Sequence, residues 1–243
     1  MSNDVEGAFD VRVLRARRVS PTVRELVLLR ADGAAMDFAA GQCVSLSFRA
    51  PEGELRRWFS IASPPDGSSR FTVAIRTSAT SALSAVLDAL PDGSVLRALG
   101  PRGALRRDPL AGLPALFVGT GTGIAPLLSM ITDAAGNGES SPLVLLLGVR
   151  EADERLYADE LRLLEAAVPN FAAHYTLSQP PDGWSGLSGY VQEHVPRFVR
   201  ELDAHGPVHV YLCGSPAMVG AVRDLLRNQL NVPAEQVHEE RYG

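Results

Sequence analysis

A chain of 243 residues, 46% hydrophobic and 21% charged, is long enough for two globular domains and too apolar for a disordered one. Its formal net charge of −5 leaves no concentrated basic face for nucleic acid, and no apolar run reaches the roughly 18 residues of a membrane helix. The two cysteines, Cys43 and Cys213, make no disulfide framework, and an iron–sulfur cluster needs a larger set. The polar, acidic opening Met1-Ser-Asn-Asp-Val-Glu-Gly7 is unlike a signal peptide. The expectation is a cytoplasmic monomer with no metal centre and no nucleic-acid or membrane partner.

The first part reads as strands. Phe9, Val11 and Val13 alternate with polar residues, as do Val44, Leu46 and Phe48, and then Phe71, Val73 and Ile75. Turn signals at Ser20-Pro21, Ala31-Asp32-Gly33, Pro51-Glu52-Gly53 and Pro65-Asp66-Gly67 separate them, which predicts a closed or nearly closed antiparallel barrel. One helix interrupts it, Ser84 to Leu90, with Leu83, Val86, Leu87 and Leu90 on one face and Pro91-Asp92-Gly93 as its stop. A strand from Val95 to Leu99 follows.

Pro109 to Pro114 reads as a hinge, and beyond it the pattern changes. Apolar runs, Pro114 to Val118, Leu143 to Leu147 and Val208 to Leu212, replace alternation. Helical stretches separate them, as in a parallel sheet covered on both faces. Pro196 predicts that Tyr190 to Leu202 forms two short helices. Ser215 is a good N-cap with Pro216 in the first helical position, and Val219, Val222 and Leu226 form the inner face of the last helix.

The stretch that bears on chemistry is Val118-Gly-Thr-Gly-Thr-Gly-Ile-Ala-Pro126. It lies where a buried strand passes into a helix carrying Ile124, Leu127, Leu128 and Ile131. Backbone N–H groups and the positive end of a helix dipole therefore point at one place. Gly119, Gly121 and Gly123 lack the Cβ that would keep a diphosphate away. A Walker loop would end in Gly-Lys-Ser/Thr, and the usual Rossmann fingerprint has glycine where Ile124 stands. By themselves the glycines fit a phosphate site and a tight structural turn equally. Because ligands gather at strand ends in open α/β sheets, this turn and Cys213-Gly-Ser-Pro216 are expected to share one crevice.

Four motifs in order make the chain resemble the ferredoxin–NADP reductase superfamily, in its bacterial oxygenase-reductase-like branch. They are Arg57-Trp-Phe-Ser60 with Ile61-Ala-Ser63, Ser84-Ala-Val-Leu87 with Gly93, Gly119 to Pro126, and Cys213-Gly-Ser-Pro-Ala-Met218; Glu239-Glu-Arg-Tyr242 adds an acidic-aromatic end. The resemblance implies a flavin-binding Greek-key β-barrel over residues 1–108 and a doubly wound α/β domain for pyridine nucleotide over 109–243.

The resemblance also implies roles. Arg57 pairs with the flavin diphosphate, Trp58, Phe59 and Ile75 border the flavin, and Ser60 places its hydroxyl near the hydride-accepting nitrogen. Ser84 heads the helix that meets the flavin phosphates. Gly119, Thr120, Gly121, Thr122 and Gly123 hold the pyridine-nucleotide diphosphate, with Arg150, Gly214 and Met218 around it. Cys213 lies against the nicotinamide, Glu240 relays charge and Tyr242 covers a ring face. Phe59 stands where the family usually has Tyr, and Ser81 where it commonly has Gly. Cys43 and the histidines are read as packing or surface residues.

The implied reaction passes a hydride from NAD(P)H to bound FAD, with FMN as the other candidate flavin. Electrons then go to a separate protein, a ferredoxin, flavodoxin or oxygenase component, because this chain has no cysteine set for a fused iron–sulfur domain. The alternatives are a free-flavin reductase and a non-catalytic flavin-binding electron-transfer subunit. NADP-binding members often carry Ser-Arg where this chain has Ser178-Gln179, which predicts NADH; Arg150 and Arg155 are the nearby cations.

Overall fold

The computed structural model describes residues 7–108 and 111–242. The acidic opening through Glu6, and Pro109 at the start of the expected hinge, lie outside them. Six strands build the first unit: β1 (Ala8–Ser20), β2 (Val23–Arg30), β3 (Cys43–Ala50), β4 (Gly53–Ser60), β5 (Arg70–Arg76) and β6 (Val95–Arg102), with helix α1 (Ala82–Asp88) before the last. They pair antiparallel in the order β4-β3-β6-β1-β2-β5. The two edges meet through an Ile61–Val73 bridge and an Ala62 N–H to Thr72 carbonyl bond of 2.8 Å, so the sheet closes into a Greek-key barrel. The alternating residues fill it: Val11, Val13, Val44, Leu46, Phe48, Phe71 and Val73 are fully buried.

The second unit holds β7 (Ala115–Thr120), α2 (Ile124–Gly136), β8 (Leu143–Val149), α3 (Ala158–Ala167), β9 (Phe171–Leu177), β10 (Leu187–Ser188), α4 (Val191–Asp203), β11 (His209–Gly214), α5 (Pro216–Asn228) and β12 (Val237–Arg241). All six strands are parallel, in the order β10-β9-β8-β7-β11-β12. Helices α2 and α3 cover one face and α4 and α5 the other. This is a doubly wound sheet whose order reverses between β7 and β11. No helix among the described residues is long and apolar enough to cross a membrane.

Two expectations change. Helix α4 runs unbroken through Pro196. The proline lies inside the helix and removes one hydrogen bond, at a cost of about 3 kcal/mol. Val191, Val195, Phe198, Val199 and Leu202 are buried along the helix, each worth about 1.5–3 kcal/mol, and together they outweigh it. Helix α1 begins at Ala82, with Ser81 as N-cap, so Ser84 lies inside the helix instead of heading it.

The two units share a core. Ala40, Ala62 and Leu105 of the barrel pack in one apolar cluster with Ile124, Leu127 and Met130 of α2. The Ser129 hydroxyl adds a 2.7 Å bond to the Ser63 carbonyl. The connecting chain is fastened rather than free. Arg107 and Glu139, with side chains 1% and 3% exposed, form a 3.0 Å ion pair, and Glu139 also accepts the N–H of Gly112. A barrel fastened in this way holds the end of β4, at Ser60, against Glu240 of β12 and Tyr242.

Candidate active site

The site forms where the sheet order reverses. Across the parallel ladder Gly119 of β7 pairs with Cys213 of β11, and Cys213 pairs with Glu240 of β12. The glycine turn and the Cys213-Gly214-Ser215 strand end therefore do lie side by side. Thr120 and Gly119 still belong to β7; the turn itself is a single 3-10 turn, Gly121–Gly123, leading into α2. Ser215 caps α5 by accepting the Met218 N–H at 3.3 Å, and its own N–H donates to the Thr120 hydroxyl.

The glycines divide by role. A Cβ on Gly123 would overlap the Cys213 carbonyl, and one on Gly119 would press on Leu127 and Leu147. Both let the turn pack against neighbouring elements, a structural cause that replaces the expected clearance for phosphate. Gly121 differs: its φ is +55°, and a Cβ there would meet nothing within 4 Å. Its open side, at the start of α2, is where N–H groups without intrahelical partners point. Gly214, with φ of +153°, brings the β11 end against Thr120 and Met218.

Two cavities flank this turn. The smaller, about 340 Å³, lies on the barrel edge among Arg57, Phe59, Ser60, Ala74 and Leu83. The larger, about 780 Å³, runs over the ends of β7, β8 and β11 past Gly121, Gly148, Arg150, Ser178, Ser215 and Met218. Arg76, Thr122 and Tyr242 line both, so the cavities meet at these residues.

At the meeting point Tyr242 donates to the Ser60 hydroxyl at 2.6 Å, and Ser60 lies 3.5 Å from a Glu240 oxygen. Burial raises the Glu240 carboxyl above its ordinary pKa, partly offset by the Ser60 bond. Burial also raises the Cys213 thiol strongly, so this fully buried cysteine stays neutral. It lines neither cavity, lying behind Gly214 and Tyr242 as a small, uncharged core residue, so the expected direct contact with the nicotinamide is not seen and it is no nucleophile. Cys43, read as packing only, stands opposite Ser60 in the β3–β4 ladder, half-buried, its thiol pushed up to about 11 by burial and by Glu240.

Other expected residues are placed as follows. Arg57 is exposed and lines the smaller cavity, with one guanidinium nitrogen donating to the Arg56 carbonyl. Trp58 borders that cavity but stacks under Arg102 at 5.5 Å, and Phe59 meets Phe48 edge-on. Ile75 is 1% exposed in the barrel core, so its side chain does not border the cavity; its strand neighbours Ala74 and Arg76 do, as period two requires. Ser84 is buried with its hydroxyl accepting the Ser78 N–H at 2.8 Å, which commits it to closing the 78–84 loop. Arg150 is held by Glu154 at 3.1 Å. Sequence reasoning missed Arg76, Glu154 and Tyr190. Only Arg76 had a signal, an exposed cation directly after the buried run of β5.

Comparison with known proteins agrees with this layout. Residues 10–106 match the oxidoreductase FAD-binding domain, and residues 117–224 match the oxidoreductase NAD-binding domain. The chain is 45% identical to ferredoxin–NADP reductase B of Sorangium cellulosum over 237 residues, covering 96% of this chain and 97% of that one. It is 30% identical to the ferredoxin–NAD(P)(+) reductase component of the naphthalene 1,2-dioxygenase/salicylate 5-hydroxylase systems of Ralstonia sp, covering 98% of this chain and 66% of that protein. Among solved structures, the cytochrome P450 reductase GcoB of Amycolatopsis superposes with a TM-score of 0.82 at 26% identity, covering 96% of this chain and 69% of that one. Fold, paired cavities and sequence thus converge, and the chain belongs to the ferredoxin–NADP reductase family of FAD- and NAD(P)H-dependent oxidoreductases.

Proposed function

We propose that this chain is an NADH-oxidising FAD reductase that delivers electrons to a separate acceptor protein, working as a cytoplasmic monomer. The observation that carries the reading is the meeting of the two cavities at Arg76, Thr122 and Tyr242, with Ser60 on one side and Gly214 on the other. The residues suit the group. Arg57 offers free guanidinium donors for a diphosphate, Phe59 an aromatic edge and Ser60 a hydroxyl at the inner end of the smaller cavity. When bound, FAD supplies a centre that takes a hydride from the nucleotide and gives up electrons to the acceptor.

The chain's own work is positioning and proton control. Gly121 and the start of α2 receive the nucleotide diphosphate, and Arg76 adds a cation where the cavities join. Gly214 forms a small, neutral wall, backed by the buried Cys213, that lets the nicotinamide lie flat at the junction. Ser60 and Glu240 hold a proton there, Glu240 by virtue of its raised affinity for one. At the far end of the larger cavity the exposed ring of Tyr190 offers the adenine a stacking face.

NADH is favoured because the nearby cations are engaged. Arg150 is paired with Glu154. Arg155 lies over the rings of Tyr175 and Trp184 at 5.9 and 5.5 Å with its Nε on the Ala152 carbonyl. The Sorangium relative is named as a ferredoxin–NADP reductase and the Ralstonia relative as a ferredoxin–NAD(P)(+) reductase component. A small iron–sulfur protein is the acceptor class this supports.

The test is to purify the protein, identify the flavin released from it, and add NADH without oxygen. Bleaching of bound FAD, followed by reoxidation on adding a ferredoxin, is expected. Colourless protein that turns over only with added free flavin would replace this reading with a free-flavin reductase. Bound flavin that NADH leaves yellow would indicate a non-catalytic subunit.

A further inference from the structure

The short segment 187–190 is clasped by a histidine that lies outside the hydride chemistry. Thr176 is fully buried, and its hydroxyl lies 2.9 Å from the Gly189 carbonyl and 3.1 Å from His194 Nε2. His194 Nε2 is also 2.9 Å from the Ser188 carbonyl. Counting hydrogens assigns the roles. A carbonyl only accepts, and the single hydroxyl hydrogen of Thr176 goes to Gly189. The two remaining contacts need a donor, so His194 Nε2 carries a hydrogen and shares it between the Ser188 carbonyl and the Thr176 hydroxyl. Glu193 completes the clasp by accepting the Tyr190 N–H at 2.8 Å, and the Gly189 N–H donates to the Leu177 carbonyl at 2.9 Å.

The clasp holds Tyr190, which is 63% exposed on the wall of the larger cavity. A tyrosine this exposed gains nothing for the core, and its neighbours Gly189, Val191 and Gln192 line the same wall. With the diphosphate at Gly121 and the nicotinamide toward Tyr242, the other half of the nucleotide extends toward Ser178 and Tyr190. We infer that His194 is a positioning residue for the adenosine half of the nucleotide: it holds segment 187–190 so that Tyr190 meets the base, and it touches neither the reacting ring nor the flavin. This rests on the reading of the larger cavity as the NADH site.

The experiment compares two hydride donors, NADH and reduced nicotinamide mononucleotide, which lacks the adenosine half. Flavin-loaded wild type, His194→Ala, His194→Gln and Thr176→Ser are assayed with ferricyanide as acceptor. One net hydrogen bond corresponds to about threefold to tenfold in an equilibrium. His194→Ala is expected to raise KM for NADH by that factor with kcat and flavin content unchanged, and to leave kcat/KM for the mononucleotide unchanged. His194→Gln, whose amide N–H reaches the same acceptors, restores the NADH value, and Thr176→Ser keeps it. Equal losses with both donors, a fall in kcat alone, or no change with NADH would overturn the assignment. A wild type that uses the mononucleotide as well as NADH would overturn the reading of the cavity itself, a result separate from any behaviour of the variants.

Discussion

Tyr242 and Ser60, 182 residues apart, are joined by a 2.6 Å hydrogen bond in which the phenol donates to the serine hydroxyl. The bond ties the end of the nucleotide domain to the last residue of β4 in the barrel. It also orders the protons. A serine hydroxyl has one hydrogen, and with Tyr242 donating to it, that hydrogen is left for Glu240. Donation therefore runs from Tyr242 to Ser60 to Glu240.

Tyr242→Phe keeps the ring and removes the donor. A hydrogen bond of this kind contributes about 0.5–1.5 kcal/mol, so unfolding should occur roughly 2–4 °C lower per kcal/mol lost. Calorimetry of the flavin-free protein checks this. A midpoint identical to wild type would mean that the bond contributes nothing.

Arg57→Ala removes the guanidinium of a residue that lines the smaller cavity. Hydrogen bonds to charged groups are worth about 1.5–3 kcal/mol, which predicts a tenfold to hundredfold weaker flavin. The dissociation constant follows from titrating stripped protein with FAD. Arg56→Ala is the control. Its side chain lies on the outer face near Ser47 and Glu54, and flavin affinity should stay the same.

The glycines give opposite predictions. Gly123→Ala sets a methyl against the Cys213 carbonyl and should destabilise the fold by several kcal/mol, with low yields. Gly121→Ala meets no atom, costs about 1–2 kcal/mol for its left-handed backbone, and fills the space kept for phosphate. It should therefore fold, keep its flavin and lose NADH affinity by tenfold or more. If both variants fold equally and differ only in KM, the division of roles is wrong.

That division explains what was legible in the sequence. Period-two alternation marked the barrel strands and apolar runs marked the parallel ones, because each reports burial of its own element. The motif order identified both cofactor regions. What Gly123 and Ile75 touch depends on elements distant in the chain. Gly123 meets Cys213, which alignment of spacings alone does not reveal, and Ile75 turns inward because closure of the barrel gives Ala74 and Arg76 the cavity side. Ser84 was displaced by a helix that starts two residues earlier, at Ala82. Pro196 was misjudged because local propensity carries no knowledge of the five apolar contacts that hold α4 together. Tyr190 could not be found, since its wall of the cavity exists only when β8, α4 and β11 are brought together.

Nucleotide choice should depend on Glu154. Its carboxylate occupies Arg150 and places negative charge on the cavity wall, both unfavourable to a 2′-phosphate. The wild type should show kcat/KM for NADH at least tenfold above that for NADPH. Glu154→Gln releases Arg150 and removes the repulsion, so the ratio should narrow by about threefold to tenfold, mainly through a lower KM for NADPH. A ratio that favours NADPH in the wild type would refute the proposed preference.

Glu240 should leave a pH signature in stability. Burial raises its folded-state pKa above the ordinary 4.5, so the folded protein holds this proton where the unfolded chain has released it. The group's contribution to stability is fully present below the unfolded pKa and is lost as pH rises through the folded one. Glu240→Gln keeps the shape and removes the charge, so it escapes that loss. Melting temperatures of the two proteins should be close at about pH 4 and diverge toward pH 8, with the variant gaining relative to wild type. The divergence should persist in Cys43→Ser backgrounds, because the raised affinity comes from burial of Glu240 and not from the neighbouring thiol. A difference that is constant across the range would mean that the carboxylate is well solvated at the junction, and the proton-holding role of the Ser60–Glu240 pair would fall with it.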